Sequence, residues 1–494
     1  MIVQNTSLDH RTIRSIVFGI LLAMFLGALD QTIVATALPT IGRAFSDVEN
    51  LSWVVTSYLL TATAVTPLYG KLSDIYGRRR MMLIGIGIFV VGSIACAAAN
   101  SMTTLILARG LQGVGAGGLL PLAQTIIGDV VAPRDRGRYQ GYVGVIFALA
   151  MIGGPVLGGL LTEHLHWSLI FWINVPLGAL AYLLTNNLLK RLPRHERPHK
   201  LDIVGATLMM TATLSLLLAL TWGGTRYAWA SPTILGLVAA SVMLWLLFAL
   251  QLARAPEPFL PISILRNAVV RMGTAAASSA MGTMIGLTIL VPLYFETVLR
   301  LSAGQSGLAL IPLMAATTVT STLTGQAMGR FTHYKRVPIV GMLTSIAALG
   351  VLAWAPGGMS VTVVAGLLFL VGAGLGTVFP VTTVSVQNAV SHQELGTATA
   401  AMNFFRSLAS AVLVAAFGAI VIGGIGLGGG APLETLLGEA SRLGIALPGV
   451  FRWVFVAAAG VLGAGLICLI AMEERPLRAH VHMPMTPPSA IPAE

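Results

Sequence analysis

Charged side chains are scarce in this sequence. Asp, Glu, Lys and Arg make up 10% of its 494 residues, whereas hydrophobic residues make up 56% and the mean hydropathy is +0.85. Soluble domains carry about 25% charged residues. The composition therefore excludes an ordinary soluble protein and predicts an all-α integral membrane protein, since long apolar runs cross a bilayer as helices.

Residues that bind metals or cofactors are also few. The two cysteines, Cys96 and Cys468, lie in apolar runs, which gives no basis for a disulfide framework or a metal site. Gly113, Gly115 and Gly118 match a dinucleotide-binding fingerprint, but no strand precedes them and the surrounding run is apolar. No phosphate-binding loop, metal cluster or catalytic triad is visible in the sequence. We therefore expect neither an enzyme nor a cofactor.

Fourteen apolar runs are long enough to cross a bilayer, which takes about 20 residues. They occupy residues 14–37, 51–69, 81–99, 104–130, 139–161, 169–189, 203–222, 233–252, 272–295, 306–328, 337–354, 361–387, 397–424 and 453–472. An even number of spans places both termini on the same side of the membrane.

Positive charge is concentrated in alternate loops. The formal net charge is +11, and most of the 29 Lys and Arg residues fall near the termini or in loops that follow even-numbered runs. Cytoplasmic loops carry such an excess of Lys and Arg. We therefore expect a multi-pass protein of the bacterial cytoplasmic (inner) membrane with both termini in the cytoplasm. This explanation requires no nucleic-acid partner.

Two stretches are repeated along the chain. Residues 325–336 resemble a decayed copy of residues 70–80, and residues 371–374 repeat residues 114–117 at nearly the same separation. Two parallel repeats of six helices explain this spacing. We predict a cytoplasmic tail (1–13), a six-helix bundle (14–189), a linker (190–201), an inserted helix hairpin (202–253), a cytoplasmic loop (254–271), a second six-helix bundle (272–472) and a Pro-rich, disordered cytoplasmic tail (473–494).

A short basic turn joins the second and third runs and contains Gly70, Asp74, Gly77 and Arg78. Asp74 lies at the membrane boundary, where it can pair with a cation or accept a hydrogen bond from a helix N-terminus. The spacing of these residues resembles the signature loop between the second and third helices of the major facilitator superfamily. We expect the four residues to form a conformational switch, in which Asp74 stabilises one conformer by contacts between the two halves.

Two charged residues lie inside apolar runs at similar depth. Asp30 and Arg109 are each about seven residues from the outer end of their run, roughly 10 Å at 1.5 Å per residue. A charge within a span is costly and is normally paired or functional. We predict that Asp30 and Arg109 form a proton-responsive pair. The alternative is a permanent structural ion pair, or a local structural role for Asp30.

The fifth run contains Gly154, Pro155, Gly158 and Gly159, which permit a kink and close helix packing. In the major facilitator superfamily this pattern marks proton-coupled antiporters. On these motifs and fourteen predicted spans, the chain is identified as a member of the 14-helix drug:proton antiporter family, a resemblance that covers essentially its whole length. It implies a major facilitator fold with an inserted hairpin, which exports a hydrophobic, cationic compound in exchange for protons.

The expected partners are a small hydrophobic substrate, protons and the lipid bilayer, with the chain acting as a monomer. Candidate residues for the substrate cavity are Met24, Phe25, Gln124, Phe147, Glu296 and Asn403. Arg406 is interpreted as a side chain that snorkels to the cytoplasmic surface. Two alternatives stay open. One is a proton-driven exporter of a specific metabolite or lipid, and the other is a membrane-embedded enzyme or a channel.

Overall fold

The computed structural model describes residues 10–47, 49–191, 201–426 and 433–477, which form α-helices and no β-strand. Fourteen helical segments are long and apolar enough to span a membrane, which confirms the predicted all-α membrane fold. The first group comprises α1 (His10–Phe45), α2 (Leu51–Tyr76), α3 (Arg78–Ala97), α4 (Met102–Val130), α5 (Pro133–His164), α6 (Leu169–Trp172) and α7 (Asn174–Leu188). The hairpin comprises α8 (Ile203–Trp222) and α9 (Pro232–Arg254), and the short α10 (Ile262–Arg266) follows it. The last group comprises α11 (Ala268–Thr297), α12 (Ala303–Met328), α13 (Arg336–Trp354), α14 (Val361–Ala389), α15 (Leu395–Ile425), α16 (Leu433–Arg442) and α17 (Leu447–Ala471).

Several helices begin where the sequence supplies a capping side chain. Ser101 and Ser302 form capping boxes at the starts of α4 and α12, because each side chain accepts a hydrogen bond from a free backbone N–H of the first turn. Asp202 caps α8 in the same way and accepts from the Gly205 N–H at 2.8 Å. Most interior backbone groups bond within their own helix, which is what allows these segments to enter a bilayer.

Three helix boundaries differ from the prediction. α1 extends beyond both ends of the apolar run 14–37, because backbone hydrogen bonding continues where side chains turn polar. α2 continues through Gly70 to Tyr76, so most of the predicted turn is helical. The sixth run is divided into α6 and α7 at Ile173.

The two halves of the chain have separate hydrophobic cores. Buried residues between positions 16 and 189 pack with one another, and those between 269 and 472 form a second large core. On this basis we propose that the chain forms two bundles, α1–α7 and α11–α17, with the boundaries predicted from the sequence. Most of the linker 190–201, most of the tail 1–13 and most of the tail 473–494 lie outside the described residues.

The α8–α9 hairpin packs beside the seam between the two bundles. Met209 of α8 and Phe248 of α9 share a small core with Leu68 of α2 and Ala401 of α15. The hairpin therefore contacts one helix from each bundle and adds no helix to either core.

Candidate functional site

The first bundle holds a buried ion pair between α1 and α4. The Arg109 Nη1 donates to the Asp30 Oδ2 at 2.6 Å, and the two side chains are 1% and 0% exposed. A carboxylate and a guanidinium that are both removed from water stabilise each other only in good geometry. The structure therefore brings together the two charged residues that the sequence placed at equal depth.

Three uncharged side chains complete this network, and the sequence analysis missed all of them. The Asp30 Oδ1 accepts from Gln112 Nε2 at 2.8 Å and from Asn174 Nδ2 at 2.9 Å. Ser93 Oγ accepts from the same two amides at 3.2 and 3.0 Å. Gln112 could have been found from its position one turn after Arg109, because residues three apart share a helix face. Nothing in the sequence positions of Ser93 and Asn174 indicated that they would join the network around Asp30 and Arg109.

Arg109 is held from every side. Its Nε donates to the Val54 carbonyl oxygen at 2.9 Å, and its Nη1 also donates to Gln112 Oε1 at 2.6 Å. The guanidinium carbon lies 4.2 Å from the centre of the Tyr58 ring, a distance at which a cation is attracted to the aromatic face. Three donors, from Arg109, Gln112 and Asn174, therefore surround the Asp30 carboxylate in this conformation. In the described part of the chain, no group of three or more His, Cys, Asp or Glu side chains is placed to hold a metal.

A second polar cluster joins the two bundles where α2 meets the N-terminus of α15. The Asp74 carboxylate accepts from the backbone N–H groups of Gly396 at 3.1 Å and Thr397 at 2.7 Å, and from the Thr397 hydroxyl at 2.5 Å. These are free donors of the first turn of α15, where the helix dipole also favours a negative charge.

Arg78 links Asp74 to a residue that the sequence analysis missed. Its Nη1 pairs with Asp74, and its Nε donates to the Asp129 Oδ2 at 2.9 Å, at the last turn of α4. Asp129 also lies 3.5 Å from a ring nitrogen of His392, just before α15. One cation thus balances two carboxylates at the meeting point of α2, α3, α4 and α15.

Gly70 and Gly77 have different roles and do not form one hinge. Gly70 lies inside α2, and a Cβ added there would collide with Ala400 and with the Gly396 backbone of α15. Only Gly77 interrupts the helix between α2 and α3, at a φ of +90° that residues with a side chain rarely adopt. The prediction of a turn that begins at Gly70 is therefore wrong, because Gly70 provides a close contact between helices.

The bundles also meet between α5 and α12. A Cβ added at Gly137 or Gly325 would collide with the carbonyl oxygen of the other residue. Nearby, Asn403 Nδ2 of α15 donates to Gln124 Oε1 of α4 at 2.7 Å. These contacts share one end of the molecule with the α2–α3 and α12–α13 turns, and we call it the basic end. The structure is closed at the basic end.

The glycines of α5 do not all make helix contacts. Gly154 and Gly158 pack against Thr32 and Thr36 of α1, where a Cβ on either glycine would collide with a threonine hydroxyl. The Thr32 hydroxyl also donates to the Ala150 carbonyl oxygen at 2.8 Å. Gly159 has no neighbouring atom within contact distance of an added Cβ, and Pro155 is exposed. Close packing therefore depends on Gly154 and Gly158.

The six cavity candidates fall into different environments. Met24 is fully buried in the core of the first bundle, so the prediction that it lines a cavity is wrong for this conformation. Gln124 and Asn403 are buried in their contact with each other between the bundles. Phe25 is half-buried beside Leu29, and Glu296 is half-buried in the last turn of α11.

Phe147 is the most exposed of the six cavity candidates. It lies one turn beyond Gly144, the outermost of the α5 glycines that face α12, and it is 39% exposed. Because the ring is exposed on a spanning helix, it is available to contact an apolar molecule.

Comparisons with known proteins agree with this architecture. The family model of the Major Facilitator Superfamily matches residues 20–414. The chain is 35% identical over 407 residues to the multidrug transporter protein MdtP of Bacillus subtilis (strain 168), which covers 82% of this chain and 75% of that protein. It is 31% identical over 418 residues to multidrug resistance protein 3 of the same organism, with 84% and 81% covered.

The fold is also similar to a solved structure. The crystal structure of the human organic anion transporter MFSD10 (TETRAN) superposes with a TM-score of 0.66 at 16% identity, over 92% of this chain and 99% of that one. At this identity the likeness concerns the fold alone. The family match over residues 20–414 and the two Bacillus relatives establish that the chain is a membrane transporter and belongs to the major facilitator superfamily.

Proposed function

We propose that this chain is a proton-coupled antiporter that exports hydrophobic compounds by alternating access. The observation that carries the proposal is the Asp30–Arg109 pair, a carboxylate without solvent exposure inside a transmembrane bundle. A proton on Asp30 would remove the negative charge that Arg109, Gln112 and Asn174 surround. Protonation would therefore require the network to rearrange, which couples proton uptake to conformation.

The contacts at the basic end support alternating access. Asp74 binds the N-terminus of α15 across the bundles, and every partner in that contact separates when the bundles move apart. We propose that this conformation faces outward and that opening of the basic end exposes the substrate site to the cytoplasm. The Gly154 and Gly158 contacts with α1 lie within one bundle and would keep Asp30 aligned with α5 during this motion.

The names of the relatives support drug efflux, since MdtP is called a multidrug transporter and another relative a multidrug resistance protein. The resemblance implies a cationic substrate, attracted by Asp30. In this conformation both Asp30 oxygens are occupied, so the cation prediction applies to a state in which the network has opened. We further propose a monomer in the bacterial inner membrane with both termini in the cytoplasm.

Transport by the purified chain in proteoliposomes separates the remaining alternatives. Ethidium, a hydrophobic cation, serves as the probe, with and without an imposed pH gradient. An antiporter accumulates ethidium only with the gradient, whereas a channel passes it without one. An exporter of a specific metabolite or lipid would not transport ethidium under either condition.

The role of Asp30 is tested by proton release when ethidium is added to detergent-solubilised protein. We expect Asp30→Asn to abolish the proton signal, because the amide has no titratable proton. Asp202→Asn is the matched control, since Asp202 caps α8 outside the site and should leave the signal intact. An unchanged signal in folded Asp30→Asn protein would contradict this assignment and support a permanent structural pair.

A further inference from the structure

Arg406 carries a second positive charge deep in the membrane. It lies eleven residues after the start of α15, one turn beyond Asn403, which helps to close the basic end. Its guanidinium carbon is 5.0 Å from the centre of the Phe379 ring on α14. Phe379 is ten residues from the end of its helix, about 15 Å along the axis at 1.5 Å per residue. The snorkelling interpretation is therefore wrong, because the guanidinium stays at the depth of Phe379.

In the part of the chain that the structure describes, the Arg406 guanidinium has no partner of opposite charge. Within residues 10–47, 49–191, 201–426 and 433–477, it makes no hydrogen bond or ion pair, and its contact is with the Phe379 ring. Arg109 shows what a structural arginine requires here, since it has a carboxylate, an amide and a backbone carbonyl. A charge in a span without such partners is costly and marks a functional site.

A buried hydroxyl without a partner lies at the same level. Gly282 and Gly286 of α11 contact Leu413 and Phe417 of α15, which fixes the register of these two parallel helices. One turn before Gly282, this register sets Ser278 level with the α15 turn that follows Arg406. Among the described residues the Ser278 Oγ has no hydrogen-bond partner. A guanidinium and a free hydroxyl are both donors, and together they suit an anionic oxygen acceptor.

We infer that Arg406, with Ser278 and Phe379, binds an anionic group of the exported compound, a carboxylate or sulfonate attached to an apolar body. The inference rests on the proposed export function and gives the substrate the opposite charge from the one that the resemblance implies. Arg406 is half-buried and lies one turn after Asn403, which contacts Gln124 of the first bundle, so its guanidinium is not fully enclosed by protein. Among the residues that the structure describes, no carboxylate pairs with the Arg406 guanidinium, so this part of the site favours an anionic group over a cationic one.

The experiment compares two fluorescent probes that differ only in charge, pyrenebutyrate and its neutral amide. Equilibrium binding of each is measured on the purified full chain in detergent. We expect the carboxylate to bind roughly ten-fold tighter than the amide, the size of effect given by one charge-assisted hydrogen bond. Equal affinities for the two probes would overturn the inference.

Three variants locate the effect. Arg406→Gln should remove the preference for the carboxylate over the amide, whereas Arg406→Lys should keep most of it. Arg452→Gln is the matched control, because Arg452 bonds to the Ala353 carbonyl oxygen at 3.0 Å on the far side of the second bundle. An unchanged elution volume in size-exclusion chromatography and an unchanged melting temperature show that a variant is folded. A preference for the carboxylate that persists in Arg406→Gln would overturn the inference.

A transport measurement separates this inference from the proposed function. Uptake of the neutral amide into proteoliposomes, driven by a pH gradient, tests antiport alone and does not require Arg406. If the gradient drives amide transport but the carboxylate is not preferred, only the anion inference fails. If the carboxylate is preferred in binding but no gradient drives either probe, the antiport proposal fails and the anion site stands.

Discussion

The α2–α15 contact and the α5–α12 contact close the same end of the molecule with the same packing device. Gly70 lies against Gly396 of α15, and Gly325 lies against Gly137 of α5, in each case too closely for a side chain. Gly325 is the residue that the internal repeat aligns with Gly70. The comparison teaches that the repeat conserves the shape of the contact between bundles, since glycine lets two backbones approach directly.

The two contacts differ in their charges. At the α2–α15 contact, Asp74 binds the N-terminus of α15 and is balanced by Arg78, which also pairs with Asp129. At the α5–α12 contact, Gly329 stands where the repeat would place the acid, and a single Arg134 Nε donates to its carbonyl oxygen at 3.1 Å. We therefore expect the first contact to act as the switch and the second to act by packing.

The largest effect is expected from Asp74→Asn. The amide loses the ion pair with Arg78 and binds the α15 N-terminus more weakly, because a neutral acceptor forms weaker hydrogen bonds than a carboxylate. We expect transport of the neutral amide of pyrenebutyrate into proteoliposomes, driven by a pH gradient, to fall roughly ten-fold or more, with the protein still folded. Asp135→Asn is the control, since Asp135 is an exposed acid in the first turn of α5, beside the other contact. Normal transport in both Asp74→Asn and Arg78→Ala would show that the cluster only marks topology.

Gly70→Val and Gly325→Val are expected to have effects equal to each other and smaller than that of Asp74→Asn. Either side chain would collide with the facing backbone, so both should shift the protein toward a conformation that is open at the basic end. The measurement is the alkylation rate of Thr399→Cys, a fully buried position in α15, in a Cys96→Ser, Cys468→Ser background. Gly87→Val is the control, because an added Cβ there meets no neighbour. Faster alkylation in only one of the two glycine variants would break the equivalence of the contacts.

The smallest effect is expected from Arg134→Gln. Arg134 is exposed and donates to a single carbonyl oxygen, and exposed polar contacts contribute little. Transport should change less than about two-fold. The comparison variant is Arg78→Gln, which removes the cation shared by Asp74 and Asp129 and should be far more damaging. Similar losses in the two variants would mean that the α5–α12 contact also depends on a side chain.

Much of the fold could be predicted because hydropathy acts along the chain. A run of apolar residues must form a helix in a bilayer whatever its neighbours are, so the fourteen spans follow from the sequence. Asp30 and Arg109 could be selected for the same reason, since a charge within such a run needs a partner. Equal depth made their pairing possible, and the packing of α1 against α4 brought the two side chains together.

The tertiary structure alone decided which uncharged residues join them. Ser93, Gln112 and Asn174 resemble many other polar residues in the spans, and only helix packing brings them to Asp30 and Arg109. The same holds for the clusters at the basic end, where Asp129 meets Arg78 because α3 and α4 pack side by side.

The sequence by itself determined the number of spans, the repeat and the positions of the buried charges, because each depends on local composition. It did not determine what the glycines do, since a glycine permits both a turn and a close contact. Packing assigned the turn to Gly77, through its positive φ, and the close contact to Gly70. Packing likewise paired Arg109 and left Arg406 without an acid, because a side chain's partners depend on which helices face one another.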